Sequence, residues 1–387
     1  MSASNSAAEP RSIALRLSSF YIAFFLFVGV SLPFWPAWLA ARGLDAATIG
    51  FLLSLAPWMK LVGNPFVARL ADTTGRTRGV LVAVALGGFV FYLLFAFARG
   101  FWPLLFVTVL AGLSIGAVTP LGDALTMRMA TSHNIDYGRV RLWGSLAFIL
   151  AGAGAGWILA GRSPDFILAL VLLSLAATVV ACRLLPESTP SVRRVSTAGW
   201  GHLLRDPAFM LFILAAGLIQ SSHAVLYGFG TLHWLDAGYD KDMIGLLWAV
   251  GVAVEVVLFA AGRRVLLHIG PIGLLILGGV AGIVRWILTG LTTALPVLFF
   301  VQALHGLTFA GTHLGAVHFI AQRMPPGLAV SAQGLYGALA QGAMFGLAML
   351  CAGAIYDALA GAAFFVMAAM CAAGCVSALA LLKGTRP

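Results

Sequence analysis

The sequence predicts an all-α membrane protein, with twelve transmembrane helices in two pseudo-symmetric six-helix bundles. Three observations carry that prediction. First, of 387 residues 61% are hydrophobic and only 9% charged, with a mean hydropathy of +1.00, whereas soluble chains carry roughly 25% charged residues. Second, twelve stretches are long and apolar enough to cross a bilayer, which takes about 20 residues. Third, the chain repeats itself. Gly43-Leu-Asp45-(x3)-Ile49-Gly50-x-Leu52 recurs 195 positions later as Gly238-Tyr-Asp240-(x3)-Ile244-Gly245-x-Leu247. The same offset sets Arg69 on Arg264, Gly75 on Gly270 and Lys60 on Glu255, and Trp143-Gly-Ser-Leu-Ala147 matches Tyr336-Gly-Ala-Leu-Ala340 at an offset of 193. An offset of half the chain length is the mark of one helical unit duplicated, a plan common among secondary transporters.

The elements follow in order. Ten polar residues without a cleavable signal lead into the first span, 13–40. The next spans are 47–68, 79–98, 103–127, 141–160 and 164–184. The polar segment Pro186–Pro207, with Arg193 and Arg194, is the only long hydrophilic stretch. It divides the chain into an N-terminal bundle at 1–185, a cytoplasmic linker at 186–206 and a C-terminal bundle at 207–387. The second bundle is expected to contain spans at 207–234, 243–262, 271–290, 295–321, 329–352 and 358–382. Backbone polar groups must be satisfied inside the bilayer, so helices are the expected form throughout.

A net charge of +10 would suggest nucleic acid in a soluble protein. Here the positive-inside rule accounts for it. With both termini in the cytoplasm, seventeen of the 23 Lys and Arg fall at cytoplasmic ends and loops. Four (Arg42, Arg99, Arg162 and Lys241) fall on the opposite side, while Lys60 and Arg285 lie inside spans. Cys182, Cys351, Cys371 and Cys375 all lie in or at apolar helices, where thiols act as small packing residues.

Ionisable residues inside a membrane are costly, roughly 2.5–3.5 kcal/mol each on insertion scales, and usually line a water-filled cavity or pair. Lys60, Asp123, Glu255 and Arg285 are such residues, joined by His223, His305, His313 and His318. Glu255 and Arg285 sit at similar depth in antiparallel spans and can pair; a structural pin between helices is the alternative. Asp123 and Arg141 can face each other across the short loop joining their spans, the alternative for Arg141 being a topology-setting charge. His305, His313 and His318 do not share a helical face, and no H-E-x-x-H run exists, so no metal site is expected. No nucleophile motif or appended soluble domain appears either, and an enzyme is not expected.

Between the second and third spans runs Arg69-Leu-Ala-Asp72-Thr-Thr-Gly75-Arg76-Thr-Arg78. It resembles the signature loop of the major facilitator superfamily, G-x-x-x-D-[RK]-x-G-[RK]-[RK], at Asp72, Gly75, Arg76 and Arg78. Ala68 and Thr73 depart from it, and an ordinary basic loop is the alternative. Asp72 would accept from a helix N-terminus or an arginine, and Gly75 would permit the tight turn of a gate. Longer runs narrow the resemblance to the phenylpropionate-transporter branch of that superfamily. They are Leu32-Pro-Phe-Trp35-x-x-Trp38-Leu39, Asp136-Tyr-Gly-x-Val-Arg141-Leu-Trp-Gly-Ser145-x-Ala-Phe148, Gly251-Val-x-x-Glu255, Val284-Arg285-Trp286 and Leu304-His305.

The branch is similar to proton symporters of the lactose-permease type, and this implies roles. Asp123, Arg141 and Ser145 would sit on the substrate-facing side, and Glu255, Arg285 and His305 would couple substrate to proton. Thr308 stands where those symporters have a proton-carrying glutamate, and Gln302 where they have a lysine. The implied function is uptake of a small organic solute, by resemblance an aromatic carboxylic acid such as 3-phenylpropionate. The bundles would rock about a central cavity, with no cofactor beyond the proton gradient. Phe20, Phe24, Phe27, Phe34 and Trp143 would offer aromatic surface, packing or lipid contact being the alternative. A sugar or nucleoside symporter, or an export antiporter, remains open. The expected setting is the bacterial inner membrane, multi-pass, with small solute, protons and lipid as partners, no nucleic acid, and a monomer.

Overall fold

The computed structural model describes residues 3–187, 200–325 and 328–384, the side chains of 3–9 and 330 excepted. Most of the linker therefore lies outside the described residues. Among the described residues the chain is helical without strands, and ten helices are long and apolar enough to cross a membrane. We label them α1 (Ala3–Ala40), α2 (Ala46–Thr74), α3 (Thr77–Leu94), α4 (Phe101–His133), α5 (Tyr137–Leu159), α6 (Asp165–Leu184), α7 (Pro207–Asp236), α8 (Lys241–Leu291), α9 (Leu295–Arg323) and α10 (Ser331–Gly384).

Ten rather than twelve arises because two spacers are shorter than expected. Helix α8 runs 51 residues through Gly270, the one residue inside it with non-helical angles (φ 71°, ψ 167°), just before Pro271. Helix α10 runs 54 residues through Ala360 at φ 47°. Each is therefore two helices joined at a break, at Gly270 in α8 and at Ala360 in α10. A second difference concerns α2. Its expected end at 68 is passed by six residues, because Arg69–Thr74 continue the helix to the turn at Gly75. What reads as a loop is therefore mostly the last helical turns.

The repeat is visible in backbone geometry. Gly43 and Gly238 both adopt left-handed angles (φ 78° and 87°), as do Gly75 and Gly270 (φ 66° and 71°). A side chain there would strain the backbone, so the duplicated glycines answer duplicated turns. Asp45 follows the first turn and its carboxylate accepts from the Thr48 N–H at 2.7 Å. That backbone hydrogen bond holds the Asp45 carboxyl below its usual range.

The chain forms two compact units. The first comprises 1–44, 55–192 and 240–249, the second 45–54, 193–239 and 250–387. The displaced pieces, 45–54 and 240–249, are repeat partners at the 195 offset. In the first unit α1 packs along α5 and α6. A Cβ on Gly29 would lie 2.7 Å from the Phe148 carbonyl oxygen, so glycine sets that approach. Gly245 lies against Gly152 and Gly156, again within the first unit, and a Cβ there would meet the Gly152 carbonyl oxygen. In the second unit Gly50 makes the matching approach, its Cβ position lying 2.6 Å from Gly353 Cα. Small residues allow such backbone contact where the solvent provides no hydrophobic drive.

Charges close the helix ends of the first unit. Lys241 donates to the carbonyls of Leu159 (3.2 Å) and Arg162 (2.9 Å) at the end of α5, satisfying groups the helix leaves open. Arg42 pairs with Asp165 at 2.6 Å and lies 4.4 Å from the Trp38 ring centroid.

Candidate functional site

Each unit carries its own polar cluster. In the second unit it is built on α7, both arms of α8, and α9. Arg285 is completely buried. Its Nη1 donates to His305 Nδ1 at 3.1 Å and to Thr308 Oγ1 at 3.0 Å, and its Nη2 to Gln302 Oε1 at 3.0 Å. The guanidinium lies 4.4 Å from the ring centroid of its neighbour Trp286. An arginine has no acceptor, so Nδ1 of His305 must accept and the ring proton sits on Nε2. That nitrogen lies 3.7 Å from Glu255 Oε2. The expected Glu255 and Arg285 pairing is therefore a chain, Glu255–His305–Arg285, with the imidazole as its middle link.

His223, named above only as an intramembrane histidine, joins the cluster. His223 is fully buried, with Nδ1 3.0 Å from the Gln220 carbonyl and Nε2 3.0 Å from Thr308 Oγ1. The carbonyl accepts, which leaves Nε2 to accept from the threonine hydroxyl. Thr308 thus joins Arg285 to His223. His223 also packs edge-on against Trp286 and His305, at 5.4 and 5.3 Å between centroids. The backbone beneath is unusual. Gly306–Gly311 forms a π-helical turn, whose extra residue per turn frees carbonyls, and Gln220 Nε2 donates to that of Phe309 at 3.2 Å. Such turns concentrate at functional sites.

That wide turn also alters register between His305 and His313. His313 sits 3.4 Å from Gln341 Nε2, and His318 bonds the Leu314 carbonyl of its own helix at 2.9 Å. Among the described residues no group of three or more potential metal ligands occurs. The four cysteines are free thiols, and Cys371 Sγ lies 3.1 Å from Ser222 Oγ in the packing beside Trp286.

In the first unit Asp123 accepts from two tyrosines, Tyr21 at 2.5 Å and Tyr137 at 3.3 Å. Arg141 does not bind the carboxylate directly, as the facing helices suggest it would. Its guanidinium stacks over Phe25 (4.2 Å) and Tyr21 (5.2 Å), so Tyr21 is the shared partner of both charges. The signal for Tyr137 was present in the Asp136-Tyr137 run; nothing in the sequence singled out Tyr21 or Phe25. Ser145 follows Arg141 by one turn on the same helix face, while Trp143 does not join them. Two residues from Arg141 it points to the other side, in an exposed apolar stripe with Leu146, Leu150 and Trp157. Phe20, Phe24, Phe27 and Phe34 are buried in the packing of the unit, and the ring of Phe20 fills the space beside Gly122.

Of the residues expected to form a gate, Asp72 lies 3.9 Å from Arg128, which also donates to Thr77 Oγ1 at 3.3 Å. Arg78 donates to the Leu185 carbonyl at 3.2 Å and pairs with Glu187 at 2.8 Å. Arg76 is exposed in the turn beside Gly75. Lys60 stands on α2, its stem against Gly116.

Comparisons with known proteins give this geometry a family. The sequence model of the MFS_1 like family matches residues 14–367. A "Probable 3-phenylpropionic acid transporter" of Escherichia coli (strain K12) is 34% identical over 344 residues, covering 86% of this chain and 88% of that protein. The maltose permease of Geobacillus stearothermophilus is 25% identical over 328 residues, covering 84% and 82%. The crystal structure of the nucleoside transporter NupG superposes with a TM-score of 0.80 at 17% identity, covering 96% of this chain and 99% of that one, a likeness of fold. The chain therefore belongs to the MFS_1 like family, and is a multi-pass membrane secondary transporter of the major facilitator type, not an enzyme.

Proposed function

We propose that this carrier is a proton-coupled importer of a small aromatic carboxylic acid, working by alternating access. The observation that supports it most is the Glu255–His305–Arg285 chain, in which His305 and Arg285 are buried. Glu255 is the proton acceptor in this reading. A shift of the His305 imidazole between Glu255 and Arg285 would change how the carboxyl meets the arginine's positive charge, and with it the proton it holds. Substrate and proton then stabilise the same state, which is the coupling. In the first unit Asp123, Arg141 and Ser145 bind the substrate, with Tyr21 and Phe25 as aromatic surface.

The long helices α8 and α10 each make two crossings in this reading, separated at Gly270 and Ala360, for twelve in two sets of six. By the distribution of basic residues, both termini and the linker at 186–206 lie on the cytoplasmic side of a bacterial inner membrane in this reading. The carrier works as a monomer, driven by the proton gradient with no cofactor.

The substrate class rests on the relative named for 3-phenylpropionic acid. A sugar or nucleoside is the second reading, favoured by the hydroxyl-binding character of Asp123 and by the maltose and nucleoside carriers among the relatives. Proteoliposomes with an imposed proton gradient, offered 3-phenylpropionate, cinnamate, lactose and uridine, decide between them. Accumulation of the two acids, driven by acid outside, is the expected result. Entry into inverted vesicles driven by acid inside would make it an exporter instead.

Two substitutions probe the clusters. Glu255→Gln is expected to abolish uphill accumulation while counterflow exchange persists; unchanged accumulation would remove Glu255 from the proton path. Arg141→Lys is expected to reduce uptake nearly to background, because the planar fork that binds a carboxylate or hydroxyl pair is lost. Wild-type uptake by that variant would leave Arg141 a topology-setting charge.

A further inference from the structure

Lys60 is a charge the mechanism above does not use. It is the fifteenth residue of α2, and Gly116, which its stem touches, is the sixteenth of α4. At 1.5 Å per residue both lie about 20 Å from the start of their helices, near mid-depth. A lysine stem reaches only about 6 Å, so the ammonium cannot snorkel to a headgroup from there. Helix geometry sets Lys60 on the face of α2 that also carries Gly63, Val67 and Ala71, all three buried, and Met59 and Gly63 on this side pack against Gly112 and Leu113 of α4. Lys60 itself is nonetheless exposed.

The surroundings are polar and incomplete. Among the described residues Lys60 has no ion pair and no hydrogen bond. One turn on, Asn64 Oδ1 is buried with no hydrogen-bond partner. The facing α4 is interrupted at Ala117, and Pro120 has no N–H to offer the Gly116 carbonyl four residues back. A Cβ on Gly116 would lie 2.7 Å from Lys60 Cγ and 3.6 Å from Asn64 Oδ1, so glycine is what admits the lysine. The next carboxylate along α4, Asp123, is seven residues or about 10 Å further on and is occupied by two tyrosines. A charge at this depth without a counter-ion is costly unless its partner arrives from outside.

We propose that Lys60, with Asn64 beside it and Gly116 making room, is the anion position of the carrier, taking the carboxylate of an organic acid at mid-depth. It rests on the reading of the solute as an acid and adds the residue that selects for the acid's charge. The ammonium pairs with one carboxylate oxygen. The unpartnered carboxamide of Asn64 meets the water that the carboxylate brings with it. The Asp123 and Arg141 cluster is then a second station nearer the other end of α4.

The test uses the full-length carrier in proteoliposomes, with 3-phenylpropionate as substrate and its neutral isostere 3-phenylpropanamide as competitor. Lys60→Met keeps the stem that packs on Gly116 and removes only the charge; Lys60→Arg keeps the charge. Wild type should prefer the acid. Lys60→Met should raise KM for the acid by about tenfold or more, the size expected for losing a charged hydrogen bond, and should no longer discriminate against the amide. Lys60→Arg should retain the discrimination. Unchanged KM and discrimination in Lys60→Met, with wild type carrying the acid, overturns the assignment of Lys60 alone. Equal loss in both variants with a lowered Tm makes Lys60 a helix pin and overturns it too. Wild type carrying lactose or uridine and no acid overturns the acid reading, and this inference falls with it.

Discussion

Arg285→Ala is expected to abolish transport and to destabilise the second unit by on the order of 3–5 kcal/mol, the cost of removing one partner from a buried charged network. The side chain is completely buried, and its removal takes the arginine donor from His305 Nδ1, Gln302 Oε1 and Thr308 Oγ1. A buried acceptor that loses its charged donor carries a desolvation cost. The ring proton of His305 would also lose the constraint that aims it at Glu255. Arg285→Lys separates the two effects. It restores the charge but cannot supply two parallel donors to Gln302 and the His305–Thr308 side, so a partial return of stability without transport is expected. Thermal unfolding in detergent and uptake in proteoliposomes measure both. An alanine variant with wild-type Tm and uptake would show the network to be idle.

Gly245→Val is expected to disrupt the first unit too, through sterics. The Cβ would meet the Gly152 carbonyl oxygen and lie 3.1 Å from Gly156 Cα, and backbone cannot swing aside as a side-chain tip can. The helices must separate, at 1–3 kcal/mol or more by the usual scale of overpacking, and the close approach of 240–249 to α5 is lost. Its repeat partner gives an internal control. Gly50→Val would meet Gly353 N at 2.7 Å and Cα at 2.6 Å in the second unit, so the two variants should fail alike. Gly154→Val, where nothing lies within 4 Å, should be tolerated. Wild-type unfolding temperature and uptake in Gly245→Val would mean that the approach is not required.

The helices were legible because apolar length and the positive-inside count are properties of composition along the chain. The repeat was legible because turns needing left-handed glycine recur at Gly43 and Gly238 and at Gly75 and Gly270. Tertiary detail was not. Arg69–Thr74 looked like a loop since polar residues at a membrane surface are equally at home in a helix that outruns the bilayer. Depth matching brought Glu255 and Arg285 to one level, but depth cannot reveal that His305 stands between them. Tyr21 and Phe25 were invisible because, in a helix rich in aromatics, nothing but packing decides which rings meet a charge. His223 and Thr308 were both legible as intramembrane positions of interest, but their contact through Thr308 Oγ1 depends on packing between separate helices and was not.

The π-helical segment Gly306–Gly311 has a consequence of its own. Its surplus residue could be resolved by tightening to ordinary helix, and one residue corresponds to about 100° of rotation. His305 lies at the upper edge of that segment and Thr308 within it, so unwinding or rewinding one turn would swivel the imidazole about the rod like a dial. A rod with a built-in swivel converts a small local twist into a change of neighbour for a proton-bearing ring.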